Sequence, residues 1–328
     1  MIDYETLDLL GDTASNVFRS DPSLQQLADL GWLALLTPQE LGGAGWHPQE
    51  AVAIALASGA ARSTLPWWHA AVAVAGLATS PETRDHVPEV LSSRTSATFC
   101  TATVAAQRAS TSTVSGVCNG VLGIPADIVV VASESNDALV ALVPDGNAII
   151  DDDRRSLDTT RVVSTLELTQ HPCRFLDPDV VSTLVDTAQL LSCADTIGAL
   201  QGAIQTVTAH LADRDAFGVP MTSFQVLQHR LVDLTVTHLS GESMVRRAAA
   251  AMSEHDDTAG ALVDVAHVFI QSRAVVALDD CIQLAGGMGF TWEFPVHHFL
   301  RRALTNSHAI RSANRSRQRM ATDRGWRP

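Results

Sequence analysis

The chain has 328 residues, enough for two domains or three small ones at roughly 100–200 residues each. It is 46% hydrophobic and 18% charged, which supplies a substantial core and excludes a disordered chain. The net charge is −14, so a non-specific nucleic-acid binder, which needs cations to neutralise phosphates, is excluded, and docking on anionic lipid is disfavoured.

In chain order, residues 1 to about 95 read as helical. Leu7, Leu10, Ala14 and Phe18 recur at helical spacing, and Ser20-Asp21-Pro22 is expected to end that helix and start the next. Pro38, Gly42-Gly43 and Gly45 punctuate a loop. Ala51 to Ala61 reads as an alanine-rich helix, and Pro66-Trp67-Trp68 opens an apolar one through about Leu77. From Ser96 the β-branched residues take over: Thr101, Thr103, Val104, Thr111, Thr113, Val114, Val117, Ile128 to Val131, then Val163, Thr165 and Leu166. With turn residues between the runs, this predicts a small β domain of short strands. Helix returns near Asp179. Leu200, Ile204, Val207 and Leu211 form one stripe, and Leu227, Leu231 and Leu234 another. Ala261 to Leu284 is a long apolar helix, stopped by Gly286-Gly287-Met288-Gly289. The arginine- and serine-rich tail beyond Arg311 is expected to fray. The chain is thus α+β: an N-terminal helical domain (1–95), a small middle β domain (96–177) and a C-terminal helical bundle (178–328).

Every cation is an arginine; there is no lysine. Schiff-base lysines and P-loop clamps are therefore absent, which excludes pyridoxal-phosphate enzymes and Walker-type NTPases. Tyr4 is the single tyrosine. Cys100, Cys118, Cys173, Cys193 and Cys281 are odd in number and widely spaced, with no CxxC. They point to free thiols in a reducing compartment. No His, Cys or Asp constellation has metal spacing, and His297-His298 read as surface or structural residues. The opening Met1-Ile2-Asp3-Tyr4-Glu5 lacks the basic and apolar regions of a signal peptide, and no apolar run of ~18 residues is uninterrupted. The expectation is a cytoplasmic protein without a membrane span.

Four segments together resemble the flavin-dependent acyl-CoA dehydrogenases. They are Leu30-Gly31-Trp32 with Pro38-Gln39-Glu40-Leu41-Gly42-Gly43-Ala44-Gly45; Arg214-Asp215-Ala216-Phe217-Gly218-Val219-Pro220 with Phe224-Gln225; Gln283-Leu284-Ala285-Gly286-Gly287-Met288-Gly289-Phe290; and Glu293-Phe294-Pro295 leading to Leu300-Arg301-Arg302-Ala303. The specific signal is RxxFG…FQ followed, about 60 residues on, by QxxGGxGF. The resemblance implies an FAD site shared between subunits. Arg214 is similar to the arginine that pairs with the FAD pyrophosphate, a task suited to a planar guanidinium fork. Phe217 is similar to the aromatic packed near the adenosine part, and Gln225 to its hydrogen-bonding neighbour. Gln283 and Gly287 resemble the segment that meets the ADP part of a flavin held mainly by another subunit, where glycine lets the backbone approach closely.

The family removes an α-proton with a carboxylate while the β-hydrogen leaves as hydride to the flavin. At one family position for that base this chain has Ile310, and no carboxylate occurs between Glu293 and Asp323. The other family position falls at Ala188. The nearest acid there, Asp186, lies two residues away, about 200° around a helix, and reads as a solvated surface acid. The family's flavin-holding Thr-Glu-Pro stretch corresponds to Thr101-Ala102-Thr103-Val104-Ala105-Ala106-Gln107, without Glu, Pro or Gly, and Gly123-Ile124-Pro125-Ala126-Asp127 lacks the family's tryptophan. No catalytic residue is assigned.

This combination resembles the shorter subunit of the heteromeric, two-plus-two acyl-CoA dehydrogenases of bacterial steroid catabolism. The resemblance implies FAD as cofactor, a bulky acyl-CoA substrate, a flavin-competent paralogue that carries the base in a heterotetramer, and an electron-transfer flavoprotein or similar acceptor. Two other readings stay open: a self-sufficient homotetrameric dehydrogenase, and a flavin-free scaffold or regulatory protein on the same fold.

Overall fold

The structure, a computed structural model, describes residues 4–108, 111–123, 125–133, 138–144, 149–150 and 156–326. Ile124, in one of the segments read from the sequence, lies outside them.

The chain opens with α1 (Tyr4–Arg19), which buries Leu7, Ala14 and Phe18 on one face. The next helix, α2 (Leu24–Asp29), starts later than Ser20-Asp21-Pro22 suggests. Its cap is Ser23, whose side chain accepts from the Gln26 backbone N–H while the Gln26 side chain accepts from the Ser23 N–H. This reciprocal pair satisfies two orphan donors, which the apolar periodicity does not reveal. α3 (Pro48–Ala61) and α4 (Trp67–Leu77) follow, then α5 (Val87–Leu91). Every residue of α4 is buried, Trp67 and Trp68 almost completely. Each large apolar side chain so buried contributes roughly 1.5–3 kcal/mol.

Seven strands make the middle layer: β1 (Ala97–Gln107), β2 (Thr113–Leu122), β3 (Ile128–Ser133), β4 (Leu139–Leu142), β5 (Ile149–Ile150), β6 (Val163–Pro172) and β7 (Arg174–Phe175). Their order is β5-β6-β2-β1-β3-β4-β7. β1 changes partner midway. Ala97 to Ala102 pair in parallel with β3, and Thr103 to Gln107 pair antiparallel with β2. Thr101 to Thr103 therefore lie at the switch.

The C-terminal bundle is built on α6 (Val181–Ala212). The hairpin β8 (Asp215–Ala216) and β9 (Val219–Pro220) leads into α7 (Gln225–Ser253), α8 (Ala259–Leu284), α9 (Val296–Ala309) and α10 (Ala313–Asp323). α3 crosses α6 with backbones in contact. A Cβ at Gly59 would meet the Asp195 carbonyl, one at Gly198 the Leu56 carbonyl, and one at Gly202 the Ala60 carbonyl and the Phe299 ring. α8 is long and apolar enough to cross a membrane by length and composition alone. Here it packs against α6, α7, α9 and α10.

The tail beyond Arg311 is not frayed but forms α10. Ser312 caps α10, accepting from the Arg315 N–H, and Arg311 and Ser316 are buried. Ion pairs to α6 and α8 hold this helix, a long-range cause that local composition conceals.

Candidate functional site

The five residues singled out by the motifs gather at one end of the bundle. Arg214 follows α6, and Phe217-Gly218 form the two-residue tip of the β8–β9 hairpin. Both tip residues have positive φ, 55° and 82°, which twists the strands correctly but strains any residue other than glycine. The turn thrusts Phe217 outward: it is 98% exposed, its ring edge-on to Phe224 at 6.3 Å. Arg214 is exposed, pointing one N–H toward the His210 Nε2 at 3.5 Å, and its carbonyl accepts from the Met221 N–H. Gln225 opens α7 and Gln283 stands in the last turn of α8, both exposed. An ion pair between Arg230 and Asp280 ties these two helix ends together. His210 packs on Phe294 at 4.8 Å, bringing the segment after α8 to the same end.

In the glycine-rich stretch, Gly286 takes φ 63° and a Cβ at Gly289 would meet the Ile282 carbonyl. Gly287 is different. It is exposed, and a Cβ there would meet nothing within 4 Å of its own chain. Phe290 and Trp292, 70% and 65% exposed, extend the apolar surface here. Phe290 closes the QxxGGxGF motif, and neither residue is among the five assigned to the cofactor.

The opposite end of α6 meets the sheet. Ile310, between α9 and α10, is buried, and its carbonyl accepts from the Thr101 hydroxyl. Ala188 is fully buried in the core. Asp186 is not the solvated surface acid expected: it is 7% exposed. Arg311 donates to its Oδ1 at 2.7 Å, and Arg319 donates to both oxygens at 2.8 and 3.0 Å. Asp264 on α8 stands beside them, 3.5 Å from Arg311 and 3.0 Å from Arg319. Burial raises the Asp186 carboxyl, opposed by Arg319, and pushes Asp264 up to about 6. Asp186 accepts hydrogen bonds from both guanidiniums, while Asp264 stands within ion-pair distance of the same two.

This arginine cluster escaped the motif reading. Asp186 and Arg311 are 125 residues apart in the chain, a pairing no local pattern encodes. The available signal was the spacing of Arg311, Arg315 and Arg319, four residues apart with no intervening acid. Among the described residues, no group of three His, Cys, Asp or Glu side chains could hold a metal ion.

Residues 179–309 match the family described as acyl-CoA dehydrogenase, C-terminal domain. Over the whole chain, the structure superposes on one described as "Tcur3481-Tcur3483 steroid ACAD G363A variant" with TM-score 0.86, covering 97% of both chains at 22% identity. It superposes on the ChsE4-ChsE5 complex from Mycobacterium tuberculosis with TM-score 0.87, covering 100% of this chain and 99% of that one at 21% identity. The chain has the acyl-CoA dehydrogenase fold. In sequence it is 29% identical over 285 residues to acyl-CoA dehydrogenase FadE34 of Mycobacterium tuberculosis, spanning 86% of this chain and 39% of that protein. It is 35% identical over 120 residues to acyl-CoA dehydrogenase IpdE2 of Mycolicibacterium smegmatis, 37% of each. The matches therefore span about two fifths of the length of these acyl-CoA dehydrogenases.

Proposed function

We propose that the chain is one subunit of a heteromeric, FAD-dependent acyl-CoA dehydrogenase. It lends FAD contacts to a flavin-competent paralogue that carries the catalytic base.

One observation carries this reading. From Asp186 to Ala212, α6 runs about 40 Å at 1.5 Å per residue, so the arm with Arg214 and the crevice at Ile310 stand at opposite ends. An arm so placed serves a site on another chain. At the chain's own crevice the family's carboxylate position holds Ile310, flanked by guanidiniums.

The arm suits the ADP part of FAD. The exposed guanidinium of Arg214 can bond two phosphate oxygens at once. Phe217 offers a ring face, Gln225 and Gln283 offer amides, and the open space over Gly287 admits a ligand against the backbone. When bound, FAD would supply the hydride acceptor for dehydrogenation between the α and β carbons. This chain's part is to grip and orient the distant half of that cofactor.

The substrate in this reading is a bulky, steroid-derived acyl-CoA, and the electron acceptor an electron-transfer flavoprotein. The descriptions of two structural neighbours, a steroid ACAD and a two-protein complex, support the class and the heteromer. The free state of all five cysteines fits a reducing, cytoplasmic setting.

The test is the flavin-to-chain ratio from the visible spectrum. Purified alone, the chain should be colourless. Co-purified with a flavin-competent paralogue, it should give half a flavin per chain, reduced by Arg214→Ala. A full flavin on the isolated chain supports the self-sufficient homotetramer instead. An Arg214→Ala complex with undiminished flavin supports the scaffold.

A further inference from the structure

A cleft of about 720 Å³ opens between the end of α4, the β1–β2 hairpin and the β4–β7 edge of the sheet. Its size lies in the range of small-molecule sites, roughly 300–1,000 Å³. Among the described residues, it shares none with the arm around Arg214 or with the crevice at Ile310. Its floor is apolar: Leu77 from α4, Ile128 from β3, and Ala141 and Leu142 from β4, all buried. Its rim is polar. Arg108 follows β1 and Ser112 precedes β2, Cys173 and Arg174 form the β6–β7 corner, and Glu82 comes after α4. The Cys173 N–H donates to the Ser112 carbonyl at 3.0 Å, which fastens the corner to the hairpin and fixes the rim.

The two guanidiniums of the rim are placed differently. Arg174 is matched by Glu82, Nη1 to Oε2 at 3.0 Å. Arg108 lies over the Phe175 ring, 4.2 Å from its centroid, and among the described residues it is paired with no carboxylate. The ring face holds the guanidinium by cation–π attraction and leaves its N–H groups without an anion. A cation restrained in this way loses little further freedom when it receives one. Its planar fork suits the two oxygens of a carboxylate. One unmatched positive charge above an apolar floor calls for one negative charge on an apolar body.

We infer that this cleft binds an amphipathic monocarboxylate, its carboxylate on Arg108 and its apolar chain along Leu77, Ile128 and Leu142. The inference does not rest on the subunit role proposed above, which uses neither Arg108 nor this cleft.

The test is calorimetric titration of the full chain with decanoate at low salt and neutral pH. One saturable site per chain is expected. Decanol, which keeps the chain, and acetate, which keeps the charge, should each bind at least about tenfold more weakly. Arg108→Gln should weaken decanoate at least about tenfold, the scale of one lost charge-assisted contact. Val143→Glu, which places a carboxylate on the rim from a position 65% exposed, should do the same. Arg273→Gln, at an exposed position on α8 away from the cleft, should leave binding unchanged. Decanoate should also slow alkylation of Cys173, which lines the cleft and alone of the five cysteines is not buried. The inference is overturned by no saturable decanoate binding up to about 10 mM, by decanol or acetate binding as tightly, by unchanged affinity in Arg108→Gln or Val143→Glu, by equal weakening in Arg273→Gln, or by undiminished alkylation of Cys173 at saturation.

Discussion

Arg302 binds both carboxylate oxygens of Asp195, its Nε to Oδ1 and its Nη2 to Oδ2, each at 2.7 Å. Both side chains are almost fully buried, 1% and 0% exposed. The Asn306 amide donates to Asp195 as well, and Arg302 donates to the Ser63 carbonyl. Arg161, paired to Asp158, donates to Asn306 and fastens the segment before β6 onto the bundle. Despite burial, the Asp195 carboxyl is held below its usual range, by Arg302 foremost. Removing one partner of such a pair leaves an uncompensated buried charge. Arg302→Met is therefore expected to destabilise the fold by about 3–5 kcal/mol. Urea unfolding midpoints check this, and a loss under about 1 kcal/mol would contradict the assignment.

The α3–α6 crossing makes a second prediction, through contrast. Gly198→Ala drives a methyl into the Leu56 carbonyl, and neither backbone can yield cheaply. A loss of at least about 1–3 kcal/mol is expected, the scale of overpacking. Gly287→Ala meets open space and has no positive φ, so its stability change should stay within about 0.5 kcal/mol. Thermal unfolding of the two variants side by side tests the difference. Equal losses would mean that the crossing is looser than described.

Asp186 is the anchor of α10. Asp186→Asn removes the charge facing Arg311 and Arg319, and α10 should loosen from α6 and α8. Hydrogen exchange is the appropriate readout. Amides of residues 313–323 should exchange faster by about tenfold or more, while those of α3 stay protected. Uniform exchange across the chain would assign Asp186 a global role instead.

A pH dependence follows from His267, 1% exposed beside the Ser316 hydroxyl at 2.9 Å. Burial pushes its pKa down to about 4. The unfolded chain then binds more protons than the folded one between the ordinary value near 6.5 and about 4. Stability from this group is fully present above pH ~6.5 and is lost as pH falls toward about 4. His267→Gln should flatten the decline of Tm with acidification across that window. A variant with the wild-type slope would show that other groups govern it.

The readable parts of this chain were those fixed locally. α4 begins and ends where Trp67 and Leu77 suggested, because an unbroken apolar run bounded by Pro66 leaves little choice. The strand region began at Ala97, one residue after the compositional change at Ser96. What stayed hidden depends on partners far away in sequence. The tail looked frayed because its helix-holding acids lie on α6 and α8. Asp186 looked solvated because its guanidiniums arrive more than a hundred residues later. At the candidate site, the motifs mark the β8–β9 hairpin and the glycine-rich stretch after α8, both of which are local features. The arginine crevice exists only once β1, α6 and α10 converge.

The length of α6 has a consequence for concentration. A ligand that needs both the arm and a crevice must find two chains, because one chain cannot fold back to close the gap. Its occupancy is then linked to association by mass action and falls on dilution, even when each individual contact is intact.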